Sequence, residues 1–277
     1  MAATDDFSPV VILVLLRLHG GCLEQSEEPR LIDLTWTMEE RMNMYPTHAE
    51  YRFTIVYRGE LAPGYPESYL ESNNLFMSEH TGTHLDAPAH FVPGAWRLDE
   101  IPLGHLTGPG VVVDVRDKIG NNSDYAITQQ DLQDWERQYG RIPDDSILLL
   151  RTGWGEWFWE QGPQAFLGTD TEDVNLVHFP GLHPEGAQWL VDNRNAPLVH
   201  RILLPNNVLI LENVAHLDKM PPTGSTVYAM PIKIGQGSGA PVRVFAIVDG
   251  RTSTAGLSTP NWAAMLSTLL ILQLAVM

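Results

Sequence analysis

The sequence predicts a strand-rich α/β or α+β fold that forms a single large domain. The apolar segments are short and are bounded by Gly, Pro, Asn or Asp, and helical patterns are few. No internal repeat and no convincing linker divides the 277 residues. A chain of this length is long enough to bury a sizeable hydrophobic core.

Strands are predicted where β-branched or leucine-rich runs lie between turn residues. These runs are Leu31–Leu34, Phe53–Tyr57, Gly110–Val115, Ser146–Leu150, Val208–Leu211 and Val242–Val248. Helices are predicted over Thr128–Tyr139, Trp154–Gln161 and Pro184–Asn193. The first helix begins with a threonine cap and an acidic first turn, and the last has proline in its first turn, as helix starts often do.

The charge balance excludes one large class of partners. The chain has 34 acidic and 17 basic residues, which gives a formal net charge of −17. Phosphate backbones and anionic lipid surfaces repel such a chain, so nucleic acid is not an expected partner.

The single cysteine, Cys22, can form neither an internal disulfide nor a zinc site built from cysteines. A metal ion would therefore need histidine and carboxylate ligands, and ten histidines are present.

The beginning of the chain has features of a secretion signal. Val10–Leu16 is an apolar run with the length of a signal-peptide core, and small residues follow it up to Cys22. The preceding residues depart from the usual pattern because they include Asp5 and Asp6 and no basic residue. We expect residues 1–22 to be a signal peptide, and a buried strand is the alternative.

The end of the chain has features of a lipid-anchor signal. Residues 253–256 are small, residues 257–262 form a short spacer, and residues 263–277 are uncharged and mostly apolar. This order predicts a secreted or extracellular protein with a GPI anchor as its only link to a membrane. A C-terminal helix packed on the core is the alternative. The domain itself is expected to comprise residues 23–252.

The segment from residue 80 to residue 90 carries the chemistry. His80, His84, Asp86 and His90 are separated by even steps, so an extended backbone would direct all four side chains to one face. At about 3.3 Å per residue, however, His80 and His84 would stand roughly 13 Å apart, too far to share one ion. We therefore expect a bulge or tight turn at Gly82.

Two imidazoles and one carboxylate form a ligand set with an open position, as hydrolytic zinc or manganese sites require. We predict that His80, His84 and Asp86 bind the metal and that His90 is the general acid and base. Ligation by His90 is the alternative, although a fourth ligand would close the site. Without further context, the same residues are also compatible with an ordinary solvated loop.

The sequence His80-Thr-Gly-Thr-His-Leu-Asp-Ala-Pro-Ala-His90 resembles the signature His-x-Gly-Thr-His-x-Asp-x-Pro-x-His of the cyclase superfamily. This superfamily includes bacterial-type kynurenine formamidases and isatin hydrolases. The resemblance extends through Leu31–Leu34, Leu148–Trp154, Pro180–Glu185 and Gly239–Arg243, and so covers nearly all of the chain between its termini. It implies a single domain with the swivelling β/β/α fold of the cyclases. Together with the two ends of the chain, it indicates a secreted member of animal type.

A second segment, His200–Val214, is similar to the formamidase segment in which a His and a Glu bind a second metal ion. The resemblance implies that the signature aspartate bridges the two ions. The ligands implied for the first ion are His80, His84 and Asp86, and those for the second are Asp86, His200 and Glu212. The resemblance also implies that His90 is the catalytic acid and base. Tyr45 precedes Pro46 where formamidases place an aromatic residue against the substrate ring, which implies a substrate-binding role.

The implied activity is metal-dependent hydrolysis of a small aryl amide, most like arylformamidase, which converts N-formylkynurenine to kynurenine and formate. One or two divalent ions are expected, with zinc preferred and manganese as the alternative. Hydrolysis of a cyclic aryl amide or ester, as in isatin hydrolase, is the second candidate. A catalytically inactive binding or scaffold protein on the same fold is the third.

The resemblance also implies a homodimer or larger homo-oligomer, because many members assemble near their active sites. The aromatic-rich segments Tyr65–Tyr69 and Trp154–Trp159 are candidates for such a contact. Packing in the core is the alternative for both segments.

The sequence departs from the family pattern in two places. The family usually has an aromatic residue followed by Pro-Gly where this chain has Tyr45–His48, which leaves the substrate open. Family members also carry an additional strand with a Gly-x-Asp-Thr-x-Ser stretch, whereas here Asp192–Val199 leads almost directly into His200. We therefore expect that one core strand is missing, that His200 is displaced from His80, and that only one metal binds or the fold is disturbed.

Overall fold

The computed structural model describes residues 28–40, 42, 45–120, 122–194, 200 and 203–248. The predicted signal peptide, residues 1–22, and the predicted anchor signal, residues 253–277, lie outside the described residues. Within the described part of the chain, no helix is long and apolar enough to cross a membrane.

The described residues form eleven strands and five α-helices. The strands are β1 (Arg30–Asp33), β2 (Arg52–Glu60), β3 (Tyr69–Phe76), β4 (His84–Asp86), β5 (Thr107–Asp114), β6 (Ala126–Ile127), β7 (Ile147–Arg151), β8 (Gly181–Leu182), β9 (Ile210–Glu212), β10 (Ser225–Pro231) and β11 (Gly239–Val248). The helices are α1 (Arg116–Ile119), α2 (Gln129–Tyr139), α3 (Trp154–Phe158), α4 (Pro163–Leu167) and α5 (Pro184–Arg194). Every predicted strand and helix overlaps one of these elements. The predicted strand-rich α/β domain is therefore confirmed.

The main sheet contains seven strands in the order β7-β5-β10-β11-β4-β9, with β1 also paired to β11. Only β5 and β7 run parallel, and the other pairs are antiparallel. The long strand β11 pairs with β1 through residues 245–248 and with β4 through residues 239–241. The short strand β4, which carries part of the signature, therefore lies between β11 and β9.

Strand β5 separates the two larger parts of the core. Val112 belongs to a first core cluster with residues of β10 and β11, whereas Val111 and Val113 belong to a second cluster with α2 and α5. Successive residues of a strand point to opposite faces, so a strand that is buried on both faces is apolar throughout. Trp135 of α2 donates from Nε1 to the carbonyl oxygen of Val112 at 2.8 Å, which fixes this helix against the sheet.

The predicted N-terminus of α2 is confirmed in atomic detail. The hydroxyl of Thr128 accepts a hydrogen bond from the backbone N–H of Asp131, and the carboxylate of Asp131 accepts one from the backbone N–H of Thr128 at 2.7 Å. This reciprocal capping satisfies backbone donors that the first helical turn cannot pair internally.

The two aromatic segments proposed for self-association differ in environment. In the segment Trp154–Trp159, the ring of Trp159 is buried and stacks on Trp36 with 5.1 Å between centroids. This segment belongs largely to a third core cluster. Tyr65 and Tyr69, in contrast, are 59% and 54% exposed at the end of the antiparallel hairpin formed by β2 and β3. Of these two segments, only Tyr65–Tyr69 therefore exposes most of its aromatic surface.

The chain between α5 and β9 forms no strand among its described residues. The predicted loss of a strand before His200 falls on residues 195–199, which lie outside the described residues, and stays a prediction. The end strands of the main sheet are β7 and β9, and within the described residues each pairs with another strand on one side only.

Candidate metal centre

A turn at Gly82 brings the signature histidines together. Gly82 has a φ angle of +63°, a conformation that is easy for glycine and strained for other residues. Strand β4 begins only at His84, so His80 is folded back and its Nδ1 lies 2.6 Å from Oδ1 of Asp86. The turn predicted at Gly82 is therefore confirmed. The extended segment comprises only His84–Asp86, whereas the even spacing of the four polar residues suggested a strand from His80 to His90.

The pairing of β4 with β9 adds Glu212 to this cluster. His84 lies directly opposite Glu212 in the antiparallel register, and directly opposed residues point to the same face of a sheet. As a result, Nε2 of His84 lies 3.5 Å from Oε2 of Glu212 and 3.4 Å from Oδ1 of Asp86.

His200 completes the cluster. Its Nε2 lies 2.9 Å from Oδ2 of Asp86 and 3.1 Å from Oε1 of Glu212. The expected displacement of His200 is therefore wrong. His200 contacts both Asp86 and Glu212.

The five predicted ligands form two overlapping groups of donors that share Asp86. The groups are His80, His84 and Asp86, and Asp86, His200 and Glu212, with the ligand atoms of each group within 4.8 Å of one another. Imidazole nitrogens and carboxylate oxygens of this kind bind zinc and other divalent metal ions. Asp86 is only 1% exposed, and a buried carboxylate needs a positive charge beside it. The donor set therefore fits a divalent metal.

The orientation of His84 supports the same conclusion. Nδ1 of His84 donates to the carbonyl oxygen of Gly82 at 2.9 Å, which leaves Nε2 directed at the two carboxylates. Metal-binding histidines are commonly oriented by such a hydrogen bond on the other ring nitrogen.

The electrostatics of the cluster favour positive charge. Burial raises the pKa of Asp86, but hydrogen bonds from His200 and His80 outweigh burial and hold that pKa well below its usual range. Burial likewise lowers the pKa of His200, whereas the hydrogen bonds to Asp86 and Glu212 raise it to about 10. The pocket between these carboxylates therefore attracts a cation, as a divalent-metal site must.

His90 lies beside the ligands. Its ring stacks on His80 with 3.9 Å between centroids and contacts Phe91 at 4.6 Å. Burial, followed by the repulsion from His80, lowers the pKa of His90. The imidazole is therefore mostly neutral near pH 7, when it can accept a proton.

Tyr45 lies farther from the ligands. Its ring is 5.5 Å from the ring of His48, which is in turn 5.8 Å from the ring of His80. Tyr45 is 41% exposed and lines the same cavity as the ligands. The structure thus places Tyr45 in the lining of the cavity that holds the ligands, and its contact with substrate stays a prediction.

Ser238 and Glu79 are residues of the site that sequence reasoning missed. Ser238 donates from Oγ to Oε2 of Glu79 at 2.6 Å, so its oxygen can accept from Nε2 of His80 at 3.1 Å. A Cβ atom at Gly239 would lie 2.5 Å from Cε1 of His80, so glycine is required there. The only sequence signal was the run of small residues around Ser238, which does not reveal a partner far away in the chain.

Asn213 was also missed. It donates from Nδ2 to the carbonyl oxygen of Gly82 at 3.1 Å, and its own carbonyl oxygen accepts from Oγ1 of Thr83 at 2.7 Å. These two bonds tie the end of β9 to the turn before β4. The adjacency of Asn213 to the predicted ligand Glu212 was the available signal.

The model of the family described as "Putative cyclase" matches residues 32–200. The chain belongs to this cyclase family. The match contains the signature ligands and His90, and it ends at the second-group ligand His200.

Curated members of the cyclase family include hydrolases similar to this chain. An isatin hydrolase of Roseibium aggregatum is 28% identical over 200 residues, which cover 64% of this chain and 74% of the relative. A kynurenine formamidase of Salinibacter ruber is 28% identical over 217 residues, which cover 77% of this chain and 95% of the relative. Both relatives are hydrolases by name.

A solved structure agrees in fold. The structure of isatin hydrolase A from Labrenzia aggregata bound to benzyl benzoate has a TM-score of 0.69 and 30% sequence identity. The alignment covers 80% of this chain and 94% of that chain. The predicted cyclase fold is therefore confirmed.

Proposed function

We propose that the protein is a metal-dependent amidohydrolase that acts on a small aryl amide, most like arylformamidase, which converts N-formylkynurenine to kynurenine and formate. The observation that carries this proposal is the pair of donor groups that share Asp86, with the ring of His90 stacked beside them. Similarity to kynurenine formamidases supports the choice of substrate.

We propose zinc as the metal, with manganese as the alternative, and one or two bound ions. The first ion would be held by His80, His84 and Asp86, and the second by Asp86, His200 and Glu212. Histidine and carboxylate ligands suit both metals. A divalent ion held there supplies Lewis-acid activation of the scissile carbonyl and of the attacking water.

His90 handles protons in this proposal. It accepts a proton from water as the oxygen attacks the carbonyl carbon, and it returns the proton to the amine nitrogen as the C–N bond breaks. Its lowered pKa keeps the ring neutral near pH 7, so that it is ready to accept the proton. The proposed role of Tyr45 is to pack against the aryl ring of the substrate, since its own ring lines the cavity.

Hydrolysis of a cyclic aryl amide or ester is the second candidate. Its specific support is the similarity to isatin hydrolases in both sequence and fold. In that reaction the nitrogen stays attached to the product, so the same proton transfer by His90 opens a ring instead of releasing formate.

The test combines metal analysis with two substrates. The purified protein should contain one or two equivalents of zinc or manganese, and a chelator should abolish hydrolysis of N-formylkynurenine or isatin until metal is returned. Faster turnover of N-formylkynurenine supports the first candidate, and faster opening of isatin supports the second. Absence of a stoichiometric ion at neutral pH would contradict both and favour an inactive binding or scaffold protein.

Variants can count the ions. His200→Ala should reduce the metal content by about one equivalent, because His200 belongs only to the second donor group. His178→Ala is the matched control, since His178 is an exposed histidine that bonds Asp124 outside the site. An unchanged metal content in His200→Ala would argue for a single ion.

We also propose that the chain is secreted, carries a GPI anchor and self-associates. Residues 1–22 and 253–277 support the first two properties through the order of their apolar and small residues. The exposed hairpin of β2 and β3 supports the third.

A further inference from the structure

The cavity that contains the metal ligands extends well beyond them. Its volume is about 1420 Å³, whereas pockets for small ligands usually occupy ~300 to 1,000 Å³. A single aromatic ring with a formyl amide would leave much of this cavity unfilled. The residues that line the rest of the cavity therefore help to determine which acyl groups the site accepts.

Ile210 shares a sheet face with three of the metal ligands. The register of β4 and β9 places Glu212 opposite His84 and Ile210 opposite Asp86. Opposed residues share a face, as do residues two apart on one strand. Three of these four residues, His84, Asp86 and Glu212, are thus ligands, and the fourth, Ile210, is apolar. Ile210 and Glu212 both line the cavity and lie about 7 Å apart along the strand.

Leucine and valine side chains form much of the cavity wall beyond Ile210. The residues that line it and also pack in the second core cluster with Ile210 are Leu148, Leu150, Leu182, Leu190, Leu203 and Val208. Leu148 and Leu150 lie on β7, Leu182 on β8 and Leu190 on α5, whereas Leu203 and Val208 precede β9. Asn206 and Asn207 also line the cavity, next to Val208, so the apolar surface is the part formed by these leucine and valine side chains. That part of the cavity favours an apolar substituent that displaces water.

The aromatic side chains near the ligands form a different part of the lining. His90 stacks on His80, and Phe91 contacts both His90 and, at 5.0 Å, His200. A substrate aryl ring packs well against such rings, and this position leaves the amine nitrogen near the proton-transferring His90. The acyl group on the other side of the scissile bond is then free to extend past Ile210.

We infer that the protein hydrolyses N-acyl aryl amines whose acyl group is an apolar chain of medium length, and that the wall from Ile210 to Val208 binds this chain. The inference rests on the proposed amide hydrolysis and specifies its substrate class. Water adds its oxygen to the carbonyl carbon, the C–N bond breaks, the amine takes a proton, and a carboxylic acid is released. From Glu212 to Val208 the backbone spans at most about 13 Å, which is enough to accompany an octanoyl chain.

A series of 4-nitroanilides tests this inference. We expect kcat/KM to rise at least about tenfold from the acetyl to the octanoyl compound, because each buried methylene group contributes favourable transfer free energy. A flat or falling series with measurable hydrolysis overturns the inference and leaves the proposed function intact. Failure of the metal-loaded protein to hydrolyse any anilide, N-formylkynurenine or isatin contradicts the proposed function instead.

A matched pair of variants locates the binding wall. Val208→Glu introduces a charge into the wall and should lower the ratio of octanoyl to acetyl kcat/KM at least about tenfold. Ile232→Glu is the control, since Ile232 is 57% exposed and is not among the described residues that line the cavity. If Val208→Glu leaves the ratio of octanoyl to acetyl kcat/KM unchanged, this wall does not bind the acyl chain and the assignment is overturned.

A binding measurement on the unmodified protein needs neither turnover nor a variant. Octanoate should bind at least about tenfold more tightly than acetate in calorimetry, with a negative heat-capacity change that reports burial of the chain. Equal affinities for the two carboxylates would overturn the inference even if amide hydrolysis is observed.

Discussion

Nε2 of His200 lies 2.9 Å from Oδ2 of Asp86, although 114 positions separate the two residues in the chain. This contact joins the second donor group to the signature on β4 and makes Asp86 common to both groups. The metal centre therefore combines ligands from β4 and β9, which pair directly, with His200.

The first prediction separates metal binding from proton transfer. His84→Ala should lose metal and activity together, because it removes a ligand whose ring is 3% exposed among carboxylates. His90→Ala should keep its metal and lose about 10²- to 10⁴-fold in kcat, the usual contribution of a general acid and base. Elemental analysis and steady-state kinetics on the same preparations provide the measurement. A metal-free His90→Ala protein would instead place His90 among the ligands.

Much of the fold could be predicted because local sequence determines it. Gly110–Val115 and Val242–Val248 are β-branched runs that become the central strands β5 and β11, and Thr128 caps α2 as its residue type indicates. Strand β3, in contrast, was missed because Tyr69–Phe76 contains Glu, Ser and two Asn residues and shows no alternation. It is held as a strand by pairing with β2 and not by burial.

The site was predictable where the ligands are close in sequence and unpredictable where tertiary contacts create it. His80, His84 and Asp86 lie within one short segment, so their residue types alone indicated a metal. Glu212 and His200 were implied only by resemblance, since nothing local connects them to Asp86. The bond from Ser238 to Glu79 spans 159 positions, and the small residues around Ser238 do not reveal this distant partner.

The second prediction concerns stability and pH. Asp131 is 4% exposed and accepts hydrogen bonds from Lys118, Tyr125 and Thr128. Asp131→Asn should lower the free energy of unfolding by about 1 to 3 kcal/mol at pH 7, because it weakens the helix cap and leaves Lys118 without this partner. Urea unfolding followed by circular dichroism measures the change.

The pH dependence of that effect has a definite sign. Burial raises the pKa of Asp131, but the bonds from Lys118 and Thr128 outweigh it and hold the pKa below its usual range. A carboxyl with a lowered folded-state pKa stabilises the fold above its unfolded pKa of about 4 and ceases to do so as pH falls through the folded value. The difference in free energy of unfolding between Asp131→Asn and the unmodified protein should therefore become smaller below about pH 4. Asp134→Asn, on the exposed side of the same helix, is the control and should change stability little. A deficit for Asp131→Asn that persists unchanged at low pH would contradict this account.

The third prediction concerns self-association through the hairpin of β2 and β3. Ten large apolar side chains from Phe53 to Phe76 are exposed. Eight lie on β2 and β3, which have no buried residue, and Leu61 and Tyr65 lie in the connection between these strands. An isolated two-stranded hairpin is marginally stable in water. At roughly 80 to 100 Å² for each half-exposed side chain, this surface approaches the ~800 Å² that each partner buries in a standard interface. A second copy of the chain is the partner we expect.

Charge placed on the hairpin should therefore dissociate the assembly. Phe53 and Leu75 are directly paired across the hairpin, and the double variant Phe53→Lys, Leu75→Lys should sediment as a monomer at micromolar concentration. Leu103→Lys is the control, because Leu103 is 70% exposed elsewhere on the domain. Sedimentation of the unmodified domain as a monomer would reject the prediction outright.

The last prediction concerns residues 263–277, which lie outside the described residues. This segment contains Leu269, Leu270, Ile271, Leu272 and Leu274 and no charged residue. A helix with this sequence is apolar on all sides, so packing against the domain would leave about half of it in water, whereas removal or membrane insertion would not. In an animal cell, the protein should therefore reach the surface, lack its last residues by mass spectrometry, and be released by a phospholipase that cleaves inositol-lipid anchors. Replacement of residues 253–256 by bulky residues should abolish this release, since anchor addition requires small residues at the modification site. Recovery of an intact C-terminal Met277 in a soluble, monodisperse preparation would show instead that the tail packs on the domain.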